Sequence, residues 1–340
     1  MFELLRATKC KGVRIMISKT KYMLSDNQIK ELFKKAGISG VSKIAPLGAG
    51  EFNAVYEVIA EKPYVLKVAP STDIPVLTYE KDMIKSELYW YDMIRNNTDI
   101  YVPLIYYKDF SKELIPADWF IMEKLDGKQR NEINIDKTVI TEKTAKMVAQ
   151  IHNIKNDKYG YIQNQLYDNW FDALKSMIKN LLSDAERAGK KSKQGEKLLK
   201  YTDKYKHILS KVPCCMVNYD IWDPNVLCKS TENGDVEFQW IDPERSFWGD
   251  RIFDFMCLEN PIGSINKKTE SLKFYNTISD SPIALNREIE IRYAFAFGLL
   301  ALIQEVEKYY RYTPHNFGWW RNAVGCTAYY KMAFKVLKNG

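Results

Sequence analysis

The residues best suited to chemistry stand together in Val217, Asn218, Tyr219, Asp220, Ile221, Trp222, Asp223, Pro224, Asn225, Val226 and Leu227. A strand-like stretch runs into a polar loop kinked at Pro224 and then returns to apolar residues. Beyond it, Asn233 and Gly234 give the strongest short-range hairpin signal, since a two-residue turn needs positive φ at its centre. With those two in the turn, Asn225 is predicted to lie opposite Asp242. An amide oxygen and a carboxylate so placed are ligands of the kind magnesium takes beside nucleotide phosphates. Asp220, at the head of the loop, is suited to take or orient the proton of an attacking hydroxyl. Polar residues that merely cap turns would account for Asp223 and Asn233. They do not account for oxygen ligands converging near a glycine loop and a near-buried lysine.

That glycine loop is Gly48, Ala49, Gly50, Glu51, Phe52 and Asn53. Glycines let backbone amides approach phosphate oxygens with no Cβ in the way. A tight hairpin without a ligand explains the same residues, and the GxxxxGKS phosphate loop occurs nowhere in the chain. Lys67 follows inside an otherwise apolar strand, where an ammonium needs an anionic partner. It is read as a lysine on nucleotide phosphates held by a helix glutamate; an edge lysine reaching water is the alternative. Glu87 is the preferred partner because the amphipathic stretch from Ile84 to Ile94 surrounds it, and Glu80, on the same helix face, competes.

The elements that must position these groups follow from periodicity. Ser25 and Gln28 form a capping-box pattern that starts a helix over residues 25–36. Residues 44–68 read as antiparallel strands about a glycine turn. A helix is predicted over residues 81–95 and a strand from Trp119 to Met122. Further helices are predicted over residues 141–155 and 168–188 and through the last eighty residues. The predicted fold class is α+β with two lobes: a small antiparallel-sheet lobe, residues 1–123, and a larger, mostly helical lobe, residues 124–340, hinged at 123–127.

Composition removes several classes. The 340 residues carry a formal charge of +7. Nine Lys or Arg against three acids in residues 186–211 give a local net of +6. With no nucleic-acid motif or interleaved aromatics, that segment reads as a solvated helical face and no nucleic-acid partner is expected. Six cysteines lack a CxxC pair and read as reduced core thiols, and three dispersed histidines suggest no metal cluster. The apolar run from Tyr293 to Ile303 is too short to span a bilayer and reads as a buried helix. The charged N-terminus argues against a secretory signal, so a cytoplasmic protein without a membrane partner is expected.

Taken in order, these parts resemble the aminoglycoside phosphotransferase and choline kinase superfamily, related to protein kinases, over about residues 42–260. GAGEFNAVYEV is similar to its nucleotide loop, with Gly48, Gly50 and Asn53 at the phosphates. Lys67 and Glu87 are similar to its phosphate lysine and that lysine's partner. IMEKLDG resembles the hinge, implying adenine contacts from the backbone of Glu123 and Leu125 with Met122 beside the base. AQIHN matches LxxLH, making His152 structural. NYDIWDPN matches HGDxxxxN and WIDPE matches IDxE, implying Asp220 as catalytic residue and Asn225 and Asp242 as metal ligands. GDRIFDF resembles GDPxxDL, in which Asp254 braces the catalytic loop. Asn218 replaces the usual histidine, a change that hydrogen bonding by asparagine can absorb. The short span from Asp242 to Asp250 leaves no room for a long activation segment.

The resemblance implies a magnesium-dependent transfer of the γ-phosphate of ATP, or of GTP, to a hydroxyl of a small molecule. A choline, ethanolamine or sugar kinase is the enzymatic alternative, with Trp222, Trp248, Trp319 and Trp320 as candidate walls of a cage for a quaternary amine. A nucleotide-binding scaffold without turnover is the alternative from another class. Few acids stay free in residues 244–261, which argues for an amino sugar or amino alcohol of low charge over a polycation. Glu305, Glu307 and Trp319 are candidate pocket residues.

Overall fold

A computed structural model gives the fold, describing residues 18–48, 50–231, 235–259 and 263–339. Helix α1 (Asp26–Lys35) begins at the predicted capping box: Ser25 Oγ accepts the Gln28 amide and Gln28 Oε1 accepts the Ser25 amide. Its buried Ile29, Leu32 and Phe33 pack with Val58, Leu66 and Trp119 in a small core outside the first sheet. That sheet is antiparallel, with β1 (Lys43–Pro46), β2 (Ala54–Ile59), β3 (Pro63–Val68), β4 (Ile105–Asp109) and β5 (Trp119–Glu123) in the order β1-β2-β3-β5-β4. Strand β3 is central and buried from Tyr64 to Val68, so both of its faces are apolar apart from Lys67. Helix α2 (Met83–Asn97) lies between β3 and β4 in the chain and starts two residues later than predicted, behind Asp82 in a left-handed conformation.

The helical lobe begins with β6 (Lys128–Gln129), followed by α3 (Lys137–His152), α4 (Trp170–Arg187), α5 (Lys193–Lys204) and α6 (Lys206–Leu209). Next come β7 (Cys215–Val217), β8 (Val226–Ser230), β9 (Val236–Trp240) and β10 (Phe247–Gly249). Then α7 (Thr269–Asn276), α8 (Arg287–Arg311) and α9 (Phe317–Leu337) close the chain. The two-lobed α+β fold is the one expected, with a small sheet lobe and a larger, mostly helical lobe. The run from Tyr293 to Ile303 is the buried middle of α8. Among the described residues no helix is long and apolar enough to cross a membrane. Cys214, Cys215, Cys228 and Cys326 are buried free thiols and Cys257 is half-buried; Cys10 lies outside the described residues.

One register differs from expectation. Strands β8 and β9 pair Val226 with Trp240 and Leu227 with Gln239, and Thr231 donates to the carbonyl of Asp235 at 2.9 Å. Three residues therefore separate the last paired positions, where a two-residue turn was predicted, and Asn233 and Gly234 lie outside the described residues. The extra loop residue moves the pairing by one, so Asn225 faces Ile241, whose amide donates to the Asn225 carbonyl at 3.0 Å. A one-residue shift reverses which side chains share a face. Some other device must aim Asp242.

The short strand pair β7–β10 is held from α8. Asp250, fully buried just after β10, accepts Arg292 Nε at 2.7 Å and Nη2 at 2.5 Å and also caps the following turn through the Ile252 amide. Asp250→Ala strands the Arg292 guanidinium in a buried place. Urea unfolding is expected to show a loss of about 3 kcal/mol; a loss below 1 kcal/mol would mean that Arg292 reaches water freely.

Candidate active site

Lys67 crosses from the sheet lobe to the groups the sequence singled out. Its Nζ lies 2.7 Å from Glu87 Oε2 on α2, 2.5 Å from Asp242 Oδ1 and 2.9 Å from Glu244 Oε2. Glu80, the competing partner, instead caps Leu77 and pairs with Arg311. Burial disfavours the Lys67 charge, yet Asp242, Glu244 and Glu87 outweigh it and hold the ammonium well above its ordinary range. Burial likewise pushes the carboxyls of Glu87 and Glu244 up, whereas Asp242, less enclosed and closest to Lys67, is held down by it against burial.

Asp242 reaches Lys67 through its backbone. Its φ of 64° is left-handed, although the following Pro243 disfavours helical torsions at this position. The Tyr91 hydroxyl accepts its amide at 2.9 Å. Torsions of this kind cost about 1–3 kcal/mol and persist where surrounding contacts enforce them. This turn, in place of the predicted cross-strand register, sends the carboxylate back toward the sheet lobe.

The catalytic-loop candidates are held from beneath. Buried Asp254 accepts the amides of Asn218 at 3.0 Å and Tyr219 at 2.5 Å and the Nε2 of His152 at 2.9 Å. Tyr219 is itself left-handed, with φ 66°, and its hydroxyl donates to the Ala296 carbonyl at 2.7 Å. Burial holds the His152 imidazole below its ordinary range, although its bond to Asp254 pulls the other way. Asn218 Oδ1 accepts the Asp220 amide at 2.8 Å, and Asn225 Nδ2 donates to the Asp220 carbonyl at 3.0 Å. Burial raises the Asp220 carboxyl to about 6 despite Arg245, whose Nε lies 3.6 Å away; Asp242 adds to the rise. Asp223 is engaged elsewhere, by the buried Arg130.

The glycine loop reaches this cluster through Asn53. Gly48 has a φ of +72°, which suits glycine; Ala49 lies outside the described residues. Asn53 Nδ2 donates to Glu244 Oε2 at 2.7 Å, while its own Oδ1 accepts nothing among the described residues. At the predicted hinge, Met122 and Leu125 are buried, and Glu123 accepts from Tyr101 and from the Leu104 amide.

The acidic oxygens of Glu87, Asp242 and Glu244 lie within 4.8 Å of one another. Three carboxyl groups converge on a single ammonium, and the Glu87 Oε1 and Asn53 Oδ1 atoms there lack hydrogen-bond partners among the described residues. An all-oxygen set of this kind fits a hard divalent cation such as magnesium.

The sequence pattern of the phosphotransferase enzyme family matches residues 43–267. The chain belongs to that family. The fold is also that of solved structures of low identity. One is a Ralstonia eutropha JMP134 protein provisionally named an aminoglycoside phosphotransferase: TM-score 0.64, 14% identity, 93% of this chain and 99% of that one. A microcompartment-associated aminopropanol kinase has TM-score 0.61, 16% identity and 92% and 98% coverage. ADP-bound aminoglycoside phosphotransferase APH(2'')-Ib has TM-score 0.57, 17% identity and 92% and 99% coverage. No curated protein sequence matches significantly.

The phosphotransferase carries a second charged system that sequence reasoning missed. Glu307 Oε1 accepts Arg245 at 2.8 Å, Arg311 at 3.1 Å and the Tyr79 hydroxyl at 2.8 Å, and Arg311 continues to Glu80. The spacing of Glu307 and Arg311 by four residues was a usable helical signal; the convergence of Arg245 and Glu80 on them was not legible. Trp248, a candidate cage wall, is buried against Trp90 at 5.0 Å.

Replacing Lys67 by Met leaves three crowded carboxylates without their cation. A loss of about 3–5 kcal/mol is expected in urea unfolding at pH 8. Unpaired buried acids have folded-state pKa values above their unfolded ones, so the stabilisation that protonation gives is lost as pH rises. The deficit is therefore smaller at pH 5 than at pH 8, and an equal deficit at both would contradict this charge balance.

Proposed function

We propose that this phosphotransferase moves the γ-phosphate of ATP, or of GTP, to a hydroxyl of a small amino sugar or amino alcohol. The observation that carries the reading is the gathering of Lys67, Glu87, Asp242 and Glu244 at a point whose charge is felt by Asp220. In this reading Asp220 accepts or orients the acceptor's hydroxyl proton. Its raised pKa brings it nearer the value at which a carboxylate works as a base near neutrality. Lys67, fixed by Glu87, holds nucleotide phosphates, and the loop of Gly48, Gly50 and Asn53 covers them. Glu123 and Leu125 meet the purine through their backbone, with Met122 beside it, and residues 123–127 divide the nucleotide lobe from the acceptor lobe. Asp242 and Asn225, helped by Glu244, would hold magnesium, which supplies positive charge to the phosphate oxygens.

Charge supports a weakly cationic acceptor. Around Asp220, Glu307 is committed to Arg245 and Arg311, Glu80 to Arg311, and Glu51 to Arg321. Glu305 accepts from Ser192 and Tyr330. Few carboxylates are left to neutralise a polycation, and complementary charge is what such a ligand requires. This favours an acceptor nearer in charge to aminopropanol than to a heavily charged aminoglycoside.

Two measurements test the proposal. With magnesium and ATP, Asp220→Asn is expected to lower turnover about a hundredfold or more at nearly unchanged nucleotide affinity; wild-type turnover would remove Asp220 from the mechanism. Across acceptors of increasing positive charge, kcat/KM is expected to be highest for those with one or two charges. A maximum at the most cationic aminoglycosides would reject the charge argument.

A further inference from the structure

The glycine loop is fastened to the helical lobe by contacts that phosphate binding does not itself require. Glu51, between Gly50 and Phe52, accepts both arms of Arg321 on α9: Nη1 to Oε1 at 2.7 Å and Nη2 to Oε2 at 2.9 Å. Such a fork fixes direction as well as distance. The Glu51 side chain is 20% exposed and the Arg321 side chain 32%, so the pair is only partly screened by water. The same stretch is fastened twice more. The Thr20 hydroxyl donates to the Glu51 carbonyl at 3.0 Å while the Lys19 amide donates to the Arg311 carbonyl at 3.1 Å, which places residues 18–20 between the loop and the end of α8. The Arg311 guanidinium lies 5.5 Å from the centre of the Phe52 ring.

Arg321 is aimed by its own helix. Gly318, three residues earlier, lies so close to the Tyr312 ring that a Cβ there would come within 2.6 Å of it. Helix α9 is thereby pressed against the α8–α9 corner, and the Tyr312 hydroxyl lies 3.3 Å from Arg321 Nη2. The family match ends at residue 267, before α8 and α9 begin.

We infer that Arg321 is a positioning residue that, through Glu51, holds the glycine loop closed over the nucleotide phosphates, so that the C-terminal helix α9 sets nucleotide affinity. The inference rests on the nucleotide-site reading above. A loop flanked by Gly48 and Gly50 has backbone freedom to lose. The bidentate pair removes that freedom before the nucleotide arrives, and ordering done in advance appears as affinity. Asp220 and its brace lie elsewhere in the site, so the chemical step is affected less than binding.

The test pairs steady-state kinetics with calorimetric binding of a non-hydrolysable ATP analogue plus magnesium to the full chain. Arg321→Gln and Glu51→Gln are each expected to raise nucleotide KM and analogue Kd about tenfold while changing kcat less than about threefold. Arg321→Lys, which keeps charge but loses the fork, is expected to fall between. The exchanged pair Glu51→Arg with Arg321→Glu is expected to recover most of the loss, a rescue that a role confined to packing α9 does not give. Analogue affinity within about twofold of the parent in both Gln variants overturns the inference, as does an exchanged pair no better than either single variant when both melt near the parent. Analogue binding is read without turnover. A chain that binds the analogue but transfers no phosphate would therefore reject the kinase reading and leave the Arg321 result to stand or fall separately.

Discussion

A single buried ammonium holds the two lobes to one geometry. Lys67 leaves the central strand of the small sheet and meets three carboxylates, one from α2 and two from the turn after β9. Water cannot solvate it there, so the charge persists only while all three elements keep their places. This explains why α2 packs where it does, why Tyr91 of α2 accepts the Asp242 amide, and why Asp242 tolerates a left-handed backbone ahead of a proline. The same meeting gathers an all-oxygen set that fits a hard divalent cation.

The second fixed point is Asp254. One buried carboxylate takes two successive backbone amides and one imidazole, and so stiffens the turn that ends in Asp220. Asn218 Oδ1 accepts the Asp220 amide and so ties the head of the loop. Asp254 holds the loop that carries Asp220, and Asn218 and Asn225 bond the Asp220 backbone amide and carbonyl.

Around that centre Glu80, Glu307 and Glu51 are each engaged by arginines. The chain from Glu80 through Arg311 and Glu307 to Arg245 joins the short turn before α2 to α8 and to the turn after Asp242. Low dielectric makes each link costly to break. The same network therefore stabilises the lobe interface. The Glu51–Arg321 pair extends this arrangement to the loop itself.

Much of this was legible in local sequence. The capping box at Ser25, the amphipathic stretch around Glu87, the apolar strand interrupted by Lys67 and the loop from Asp220 to Asn225 are each decided by neighbouring residues, because helix and strand periods and turn chemistry act over a few positions. What reached across the chain was not. The register of β8 and β9 turned on one loop residue, and the aim of Asp242 came from a strained torsion enforced by Lys67 and Tyr91. The choice between Glu80 and Glu87 was undecidable from a spacing that predicts one helix face for both; in the structure Glu80 ends a separate short turn over Thr78–Glu80, before α2, where Arg311, more than two hundred residues away, claims it and so leaves Glu87 to Lys67. Sequence determines which groups can be charged and which elements carry them. Tertiary structure alone decides how those charges pair, because a buried ion's partner is chosen by packing and desolvation in space, and neither depends on distance along the chain.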